Sequence, residues 1–312
     1  MAGTNPSISI IMPSFNAEFC IEDAIISVIN QTYKNWELII VNDGSTDQTE
    51  NIVKKWLSQE QRIQYFYQEN GKQGKARNLG IAKSRGQYLA FLDADDIWLN
   101  EKLSIQINEM QTRNVDLVFS DSYIFNDNDI HDTSQKMNIP TNILFDENSI
   151  NLFLKGNRIP ILTVLVNKSK VENVGGFAEA IDIQNVEDYH LWLKLLMSGC
   201  KFYALDYVLA KYRVHKNAAT SADKAAHSKV PNAFFDLFQN YPAFRKEIKH
   251  ALKIKFIHIY RTNIFSKSEL SSWINKNTEY LGKSAVKYFY KVLNYFLPTK
   301  ATKRILIYVL NA

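Results

Sequence analysis

Residues Tyr88–Asn100 read YLAFLDADDIWLN, an apolar run that ends in closely spaced carboxylates. The apolar part has the composition of a buried strand, and Asp93, Asp95 and Asp96 follow it directly. Carboxylates this close repel one another unless a cation or hydrogen-bond donors compensate their charge. The stretch therefore predicts a buried strand that ends at a site where a cation or hydrogen-bond donors compensate the charge of the carboxylates.

Two interpretations of this cluster stand side by side. Asp-x-Asp at a strand end can bind a divalent cation through oxygen ligands, with a substrate phosphate completing the shell. Alternatively, Asp96 caps a helix that begins near Ile97, and Asp93 and Asp95 are solvated turn residues. The metal interpretation gains support from two other polar strand ends. The basic segment GKQGKARN (residues 71–78) could also meet a phosphate at a helix N-terminus.

Strand and helix patterns alternate through the first hundred residues. The predicted strands are residues 8–13, 36–43, 62–68 and 87–92, and the predicted helices are residues 18–30, 45–58 and 74–84. This alternation predicts an α/β fold with a doubly wound, mostly parallel sheet flanked by helices. Ligands bind such sheets at the carboxyl ends of the strands, which here read PSFN, NDGS and DADD.

Bulk properties limit the classes of protein. The 312 residues are 46% hydrophobic, as in a soluble globular protein, and no apolar run reaches the roughly 20 residues that span a bilayer. We read no signal peptide at the N-terminus. Cys20 and Cys200 are far apart in sequence, which favours reduced thiols and a cytoplasmic protein.

Charge divides the chain into two regions. Residues 1–220 carry 21 basic and 27 acidic side chains, a balance of −6, whereas residues 221–312 carry 16 and 5, a balance of +11. We therefore predict a catalytic domain over residues 1–220 and a basic, aromatic-rich helical region over residues 221–312.

Six segments in order resemble the family 2 inverting GT-A glycosyltransferases, typified by bacterial polysaccharide and lipopolysaccharide sugar transferases. They are SIIMPSFN, SVINQTY, WELIIVNDGSTDQT, GKARNLGIAKSRG, YLAFLDADD and VEDYHLWLKLL. The resemblance covers about residues 7–220. It implies a GT-A fold and transfer of one sugar from a nucleoside-diphosphate sugar, here a UDP-sugar, with Mn²⁺ or Mg²⁺ as cofactor. The implied acceptor is a hydroxyl of a glycan or lipid-linked saccharide in cell-surface polysaccharide synthesis.

The resemblance also implies roles on the donor side. Pro13 and Phe15 would line the nucleotide pocket, and Asp43 would accept a hydrogen bond from the uracil ring. Arg77 would reach the nucleotide or its phosphates. Asp93 would approach the ribose or the metal, and Asp95 would coordinate the metal. The structural alternatives are a turn residue at position 43 and a solvated helix face at position 77.

The acceptor side needs a base for the attacking hydroxyl. By resemblance Asp188 is this base and Glu187 supports it. The alternative is a helix N-cap at Asp188 with Glu187 as a first-turn charge. Arg213 and His215, in a later loop, are candidates for contact with phosphate or metal, and a solvated histidine is the alternative. The QxxRW signature of polymerising relatives is missing, which favours transfer of one sugar per encounter.

The C-terminal region contains a basic amphipathic pattern. Between Lys283 and Leu297, apolar residues share one predicted helical face and three lysines flank it. Such a helix is typical of binding to an anionic membrane surface, which would suit a lipid-linked acceptor. The alternative is a helix packed on the catalytic domain. Nucleic acid is not expected as a partner.

The sequence argues against two other functions. A sugar nucleotidyltransferase should have a glycine-rich phosphate loop after its first strand, but that position reads MPSFNAEF. A membrane-associated scaffold with a degenerate transferase domain would not need the metal and base carboxylates. The presence of both favours the enzyme.

Overall fold

The computed structural model describes residues 7–127, 129–215 and 226–262. They form these strands: β1 Ile8–Ser14, β2 Trp36–Asn42, β3 Ile63–Tyr67, β4 Tyr88–Phe91, β5 Ile97–Trp98, β6 Leu117–Phe125, β7 Gln135–Lys136, β8 Ile143–Phe145, β9 Leu165–Asn167 and β10 Phe202–Arg213. The helices are α1 Ile21–Ile29, α2 Thr49–Leu57, α3 Lys72–Lys83, α4 Lys102–Arg113, α5 Ile150–Phe153, α6 Lys168–Asn173, α7 Glu187–Met197, α8 Ala226–Asn240 and α9 Arg245–Thr262.

The strands form one sheet in the order β3-β2-β1-β4-β9-β6-β10-β5, with β7 beside β6 and β8 beside β10. Neighbours within β3-β2-β1-β4 pair in parallel, as do β6 and β10. Strand β9 runs antiparallel to both β4 and β6. Because β9 is antiparallel to both β4 and β6, strands β4 and β6 run in the same direction. The carboxyl ends of β1, β2, β4, β6 and β10 therefore lie at one edge of the sheet, which we call the carboxyl edge. The predicted α/β sheet is confirmed.

The central strands are buried along their whole length. Every residue of β1 and β2 is buried, as expected for parallel strands covered on both faces. Helix α3 packs closely on this layer at Gly80. A β-carbon at Gly80 would lie 2.6 Å from Cγ2 of Ile11, a fully buried side chain of β1. Glycine at this position therefore allows the helix to approach the sheet.

Helices α1 and α2 begin three and four residues later than predicted. The preceding residues are held in loops by polar bonds between the ends of β1 and β2. The Ala17 N–H donates to Thr49 Oγ1 (2.8 Å), and the Glu18 N–H donates to Asp47 Oδ2 (3.0 Å). In return the Gln48 N–H donates to Glu18 Oε2 (2.9 Å). These bonds satisfy backbone groups that a longer helix would otherwise use.

The helix near Ile97, considered as an alternative above, is wrong. Ile97–Trp98 form strand β5, which pairs antiparallel with β10, and α4 begins at Lys102. The Asp96 carboxylate accepts the backbone N–H of Arg213 rather than a helix N–H (2.9 Å). The buried Trp98 donates from Nε1 to the Leu162 carbonyl (2.8 Å). Tertiary contacts with distant residues thus decide this segment.

The described residues fall into two compact units, with residues up to 215 in the first and 226–262 in the second. The second unit consists of α8 and α9, which contact each other. Within the described part of the chain, no helix is both long and apolar enough to cross a membrane. The predicted amphipathic helix at 283–297 lies outside the described residues.

Replacing Gly80 by alanine tests the packing of α3. The added methyl group would overlap Ile11, and overpacking of this kind costs about 1–3 kcal/mol, which outweighs the roughly 1 kcal/mol that alanine gains over glycine in a helix. Urea unfolding should therefore show a lower stability for Gly80→Ala. Gly156→Ala is the control, since nothing lies within 4 Å of the β-carbon there. Equal stability of the two variants would contradict the packing described.

Candidate active site

The carboxylates at the end of β4 have separate nitrogen partners. The pairs are Asp93 with Arg77 Nη2 (2.8 Å), Asp95 with His215 Nε2 (2.9 Å), and Asp96 with the Arg213 backbone N–H (2.9 Å). Asp96 is only 2% exposed, whereas Asp93 and Asp95 are partly exposed. Burial, followed by the neighbouring carboxylates, raises the pKa of Asp95 and of Asp96. Asp93 and Asp95 are therefore the members of the cluster that a ligand can reach.

Arg213 fixes this cluster from the end of β10. Its side chain is buried, with Nη1 on Asp127 Oδ1 (2.7 Å) and Nη2 on Asp23 Oδ2 (2.8 Å). Its Nε donates to the Asp95 carbonyl (2.7 Å). The structure thus gives Arg213 a positioning role, and its predicted contact with phosphate stays a prediction. His215, two residues later, contacts Asp95 as expected for a shared site.

Arg77 joins the β4 loop to helix α7. Its guanidinium donates from Nη2 to Asp93 (2.8 Å) and from Nη1 to Glu187 Oε1 (2.7 Å). Arg77 is 3% exposed, so the alternative of a solvated helix face at this position is wrong. The buried cation offsets the charge of a carboxylate on each side. Its predicted reach to the nucleotide stays a prediction.

Asp188 is placed on the first turn of α7 beside this ion pair. It is partly exposed, and its carboxylate accepts from Asn157 Nδ2 (2.9 Å) and from the Tyr189 N–H (2.6 Å). Burial and the Glu187 charge raise the pKa of Asp188 to about 6. The N-cap of α7 is Val186, without a side-chain capping bond, so the N-cap interpretation of Asp188 is wrong. A carboxyl group titrating near neutral pH is typical of a general base.

Asp43 holds the start of helix α3. Its buried carboxylate accepts from Gln68 Nε2 (2.7 Å), from the Gly71 N–H (2.7 Å) and from the Lys72 N–H (2.8 Å). A side-chain anion therefore occupies the helix N-terminus where a phosphate was considered. Oδ2 accepts one of these bonds and can accept another. The hydrogen bond from uracil to Asp43 remains a prediction, and it would be made to the second lone pair of Oδ2.

Aromatic side chains lie exposed at the carboxyl edge. Pro13 is buried inside β1, while Phe15, just past the strand, is 51% exposed. Tyr67 ends β3, pairs in register with Asn42, and is also exposed. Exposed rings at the end of a parallel sheet can stack on a nucleotide base. The pattern of apolar residues in β3 does not show which of its aromatics ends the strand.

Asp95 and His215 supply donors that suit a divalent cation. Carboxylate oxygen is a hard ligand for Mg²⁺ and Mn²⁺, and imidazole nitrogen also binds Mn²⁺. The part of the chain that the structure describes contains no group of three histidine, cysteine or acidic side chains arranged to hold a metal. Two protein donors still fit a site in which substrate phosphate and water supply the other oxygens.

Several site residues were not among those predicted from the sequence. Asp23 and Asp127 bind Arg213 from α1 and from the loop after β6, and Asn157 binds Asp188 across 31 positions. Asp127 could have been found, because it follows a strongly apolar strand pattern. Asp23 looks like an ordinary first-turn charge of α1. Asn157 looks like an ordinary loop residue.

Comparison with known proteins shows the family of this chain. A profile of glycosyl transferase family 2 matches residues 9–170, which is more than half of the chain. The UDP-Glc:alpha-D-GlcNAc-diphosphoundecaprenol beta-1,3-glucosyltransferase WfgD of Escherichia coli is 33% identical over 216 residues, covering 69% of this chain and 79% of the relative. The chain belongs to glycosyl transferase family 2 and is a glycosyltransferase.

Solved structures share the fold. TarS 1-349 of S. aureus in complex with UDP-GlcNAc has a TM-score of 0.69 at 18% identity, covering 98% of this chain and 90% of that one. The mannosyltransferase PcManGT of Pyrobaculum calidifontis, in complex with GDP-Man and Mn²⁺, has a TM-score of 0.59 at 16% identity, with coverages of 98% and 86%. The predicted GT-A type fold is confirmed.

Removal of the Arg77 cation should strongly destabilise the fold. Arg77→Met leaves Asp93 and Glu187 without their partner, and breaking a buried ion pair in this way costs about 3–5 kcal/mol. Lys54→Met is the control, because the Lys54–Glu50 pair is largely exposed and such pairs contribute little. Chemical denaturation measures both variants. A loss for Arg77→Met as small as that of the control would show that Arg77 does not hold the two elements together.

Proposed function

We propose that this glycosyltransferase is inverting and metal-dependent, and that it moves one sugar from a UDP-sugar to a hydroxyl of a glycan or lipid-linked saccharide. The product belongs to the synthesis of cell-surface polysaccharide. The observation that carries the proposal is the position of the partly exposed Asp188 carboxylate on the first turn of α7, where burial and the Glu187 charge raise its pKa to about 6. The adjacent Glu187 is tied through Arg77 to Asp93 of the β4 loop. This connection fixes a base relative to a site for a charged donor.

The donor occupies the carboxyl edge between β1, β2 and β4. Phe15 presents its exposed ring to the base, beside the buried Pro13, and Asp43 accepts the imide N–H of uracil through Oδ2. Asp93 lies beside the ribose. The names of relatives support a UDP-sugar: WfgD is described as using UDP-Glc, and TarS was solved with UDP-GlcNAc.

Asp95 and His215 would hold Mn²⁺ or Mg²⁺, with Asp93 nearby. A bound divalent cation neutralises the charge that develops on the leaving nucleoside diphosphate. Arg213 keeps Asp95 in place through the bond from its Nε to the Asp95 carbonyl. The complex of PcManGT with Mn²⁺ supports a metal in this fold.

Asp188 accepts the proton of the acceptor hydroxyl as the oxygen attacks the anomeric carbon. Attack comes from the face opposite the diphosphate, so the configuration at that carbon inverts. A pKa of about 6 leaves most Asp188 ionised at pH 7 and makes it a stronger base than an ordinary aspartate. Glu187 supports this function in two ways: its charge raises the pKa of Asp188, and it binds Arg77.

For a lipid-linked acceptor, the enzyme acts peripherally at the cytoplasmic face of the cell membrane. The basic balance over residues 221–312 supports this location, because anionic lipids attract Lys and Arg by about 1 kcal/mol each. The name of WfgD specifies a diphosphoundecaprenol acceptor, which is consistent with a membrane-bound substrate.

Loss of Asp95 should abolish metal-dependent donor binding. Asp95→Ala removes a carboxylate ligand, so calorimetry should detect no increase in UDP affinity when Mn²⁺ is added. Asp132→Ala is the matched control, since Asp132 is a partly exposed loop aspartate that accepts the Ser134 N–H. A Mn²⁺-dependent UDP affinity of Asp95→Ala equal to that of the control would refute the metal assignment.

Loss of the Asp188 proton acceptor should stop transfer but not donor binding. Turnover of Asp188→Asn should fall by roughly 10²–10⁴-fold, measured as UDP release from a panel of UDP-sugars with a GlcNAc-diphosphate lipid. The wild-type rate should rise with pH through about 6, as Asp188 loses its proton. Calorimetry should give nearly unchanged UDP affinity. Near-native turnover of Asp188→Asn would show that the base lies elsewhere.

Deletion of residues 283–312 should release the protein from anionic vesicles while sparing UDP binding. The lysines of this segment attract the surface, and this attraction is screened over about 8 Å at physiological ionic strength. Co-sedimentation with phosphatidylglycerol vesicles at low and high salt measures the effect. If the full chain ignores such vesicles at low salt, the membrane proposal is wrong.

A further inference from the structure

The side-chain amide of Asn157 binds the proposed base, Asp188, in one orientation. Its Nδ2 donates to Asp188 Oδ2 (2.9 Å), and its Oδ1 accepts the N–H of Ile159 (3.2 Å). The bond to Ile159 occupies the amide oxygen within the loop itself. The NH₂ end is therefore the end that faces the carboxylate.

The loop that carries Asn157 is held on α7 by other bonds. Trp192 Nε1 donates to the Ile159 carbonyl (3.2 Å), and the Tyr189 hydroxyl donates to the Phe153 carbonyl (2.5 Å). These bonds are buried, whereas Asn157 is exposed. The bond between Asn157 and Asp188 is therefore not needed to dock the loop.

The Asp188 carboxylate has a donor on each oxygen. The Tyr189 N–H reaches Oδ1 and Asn157 reaches Oδ2, so rotation of the carboxylate about its terminal bond is restricted. Both bonds favour the ionised form. The charged groups that act on Asp188 are Glu187, which raises its pKa, and Arg77, which lowers it. Burial raises the pKa of the neighbouring Tyr189, and Arg158 opposes this effect.

We propose that Asn157 is a positioning residue for sugar transfer, which orients the Asp188 carboxylate toward the acceptor hydroxyl and keeps it ionised. This inference rests on the proposed function, in which Asp188 is the base. Asn157 acts through the carboxylate, and the Asp188 oxygens each keep one lone-pair direction for the incoming proton. No bond between Asn157 and the sugar is required.

The direct test measures the Asp188 titration without any substrate. Full-length protein labelled with ¹³C at aspartate carboxyl groups is titrated by NMR, and the Asp188 resonance is identified by its absence in Asp188→Asn. Its midpoint should move to higher pH in Asn157→Ala, because a donor to the ionised form is lost. It should move further in Asn157→Asp, which has the same shape but places a second negative charge beside Asp188. An unchanged midpoint in both variants would overturn the proposal.

Kinetics provide the second readout. At pH 6, turnover of Asn157→Ala should fall by about 10-fold, as expected for loss of a hydrogen bond to a charged group, and it should recover toward the wild-type rate at high pH. Tyr189→Phe is the matched control, since it removes another bond between this segment and α7 but leaves the carboxylate untouched. The fold-loss of turnover in Tyr189→Phe should be the same at all pH values. A pH-independent loss in Asn157→Ala, or a rise confined to the acceptor KM, would overturn the proposal.

The two proposals fail separately. If Asp188→Asn retains turnover, the base assignment fails, and the NMR midpoints still decide whether Asn157 controls the carboxylate. If Asp188→Asn is inactive and the midpoints are unchanged, only the role of Asn157 fails. Thermal unfolding of each variant confirms that the variant is folded before its turnover and its NMR midpoint are compared with those of the wild type.

Discussion

The buried guanidinium of Arg77 is the interaction on which the site depends. It lies between Asp93, at the end of β4, and Glu187, at the start of α7, two elements far apart in sequence. A buried carboxylate such as that of Glu187 stays ionised only with a nearby cation and hydrogen bonds of good geometry. One side chain of α3 therefore offsets the charge of the buried Glu187 and of the partly exposed Asp93, and it ties the start of α7 to the end of β4.

The remaining acids at the carboxyl edge divide into structural and chemically available groups. Asp96, Asp43 and Glu187 are buried, and their carboxylates bind backbone N–H groups or side chains of the scaffold. Asp95 and Asp188 are partly exposed. Each of these two has a neutral or titratable partner rather than a permanent cation, and burial raises the pKa of each. The acids whose pKa is raised and that remain partly exposed are thus the two to which we assign the metal and the proton of the acceptor.

The sequence predicts the parts of the fold that depend on local pattern. Strands β1 and β2 are mostly apolar, which predicts their burial, whereas the buried Glu37 of β2 depends on its bond from Ser9 of β1. Strand β5 could not be predicted, because two residues pair with a strand more than a hundred positions later. The positions of Arg77, Asp95 and Asp188 were also predictable by resemblance. Their partners were not, since a pattern shows that a residue is charged but not which distant group lies opposite.

In the proposed mechanism, Asp188 and the diphosphate act on opposite faces of the transferred sugar. The anomeric configuration of the product, read by proton NMR after one turnover with an α-linked UDP-sugar, tests this most directly. The account predicts a β-linked product, with inversion at the anomeric carbon. An α-linked product would show retention, which a single attack assisted by Asp188 cannot give, and would contradict the account.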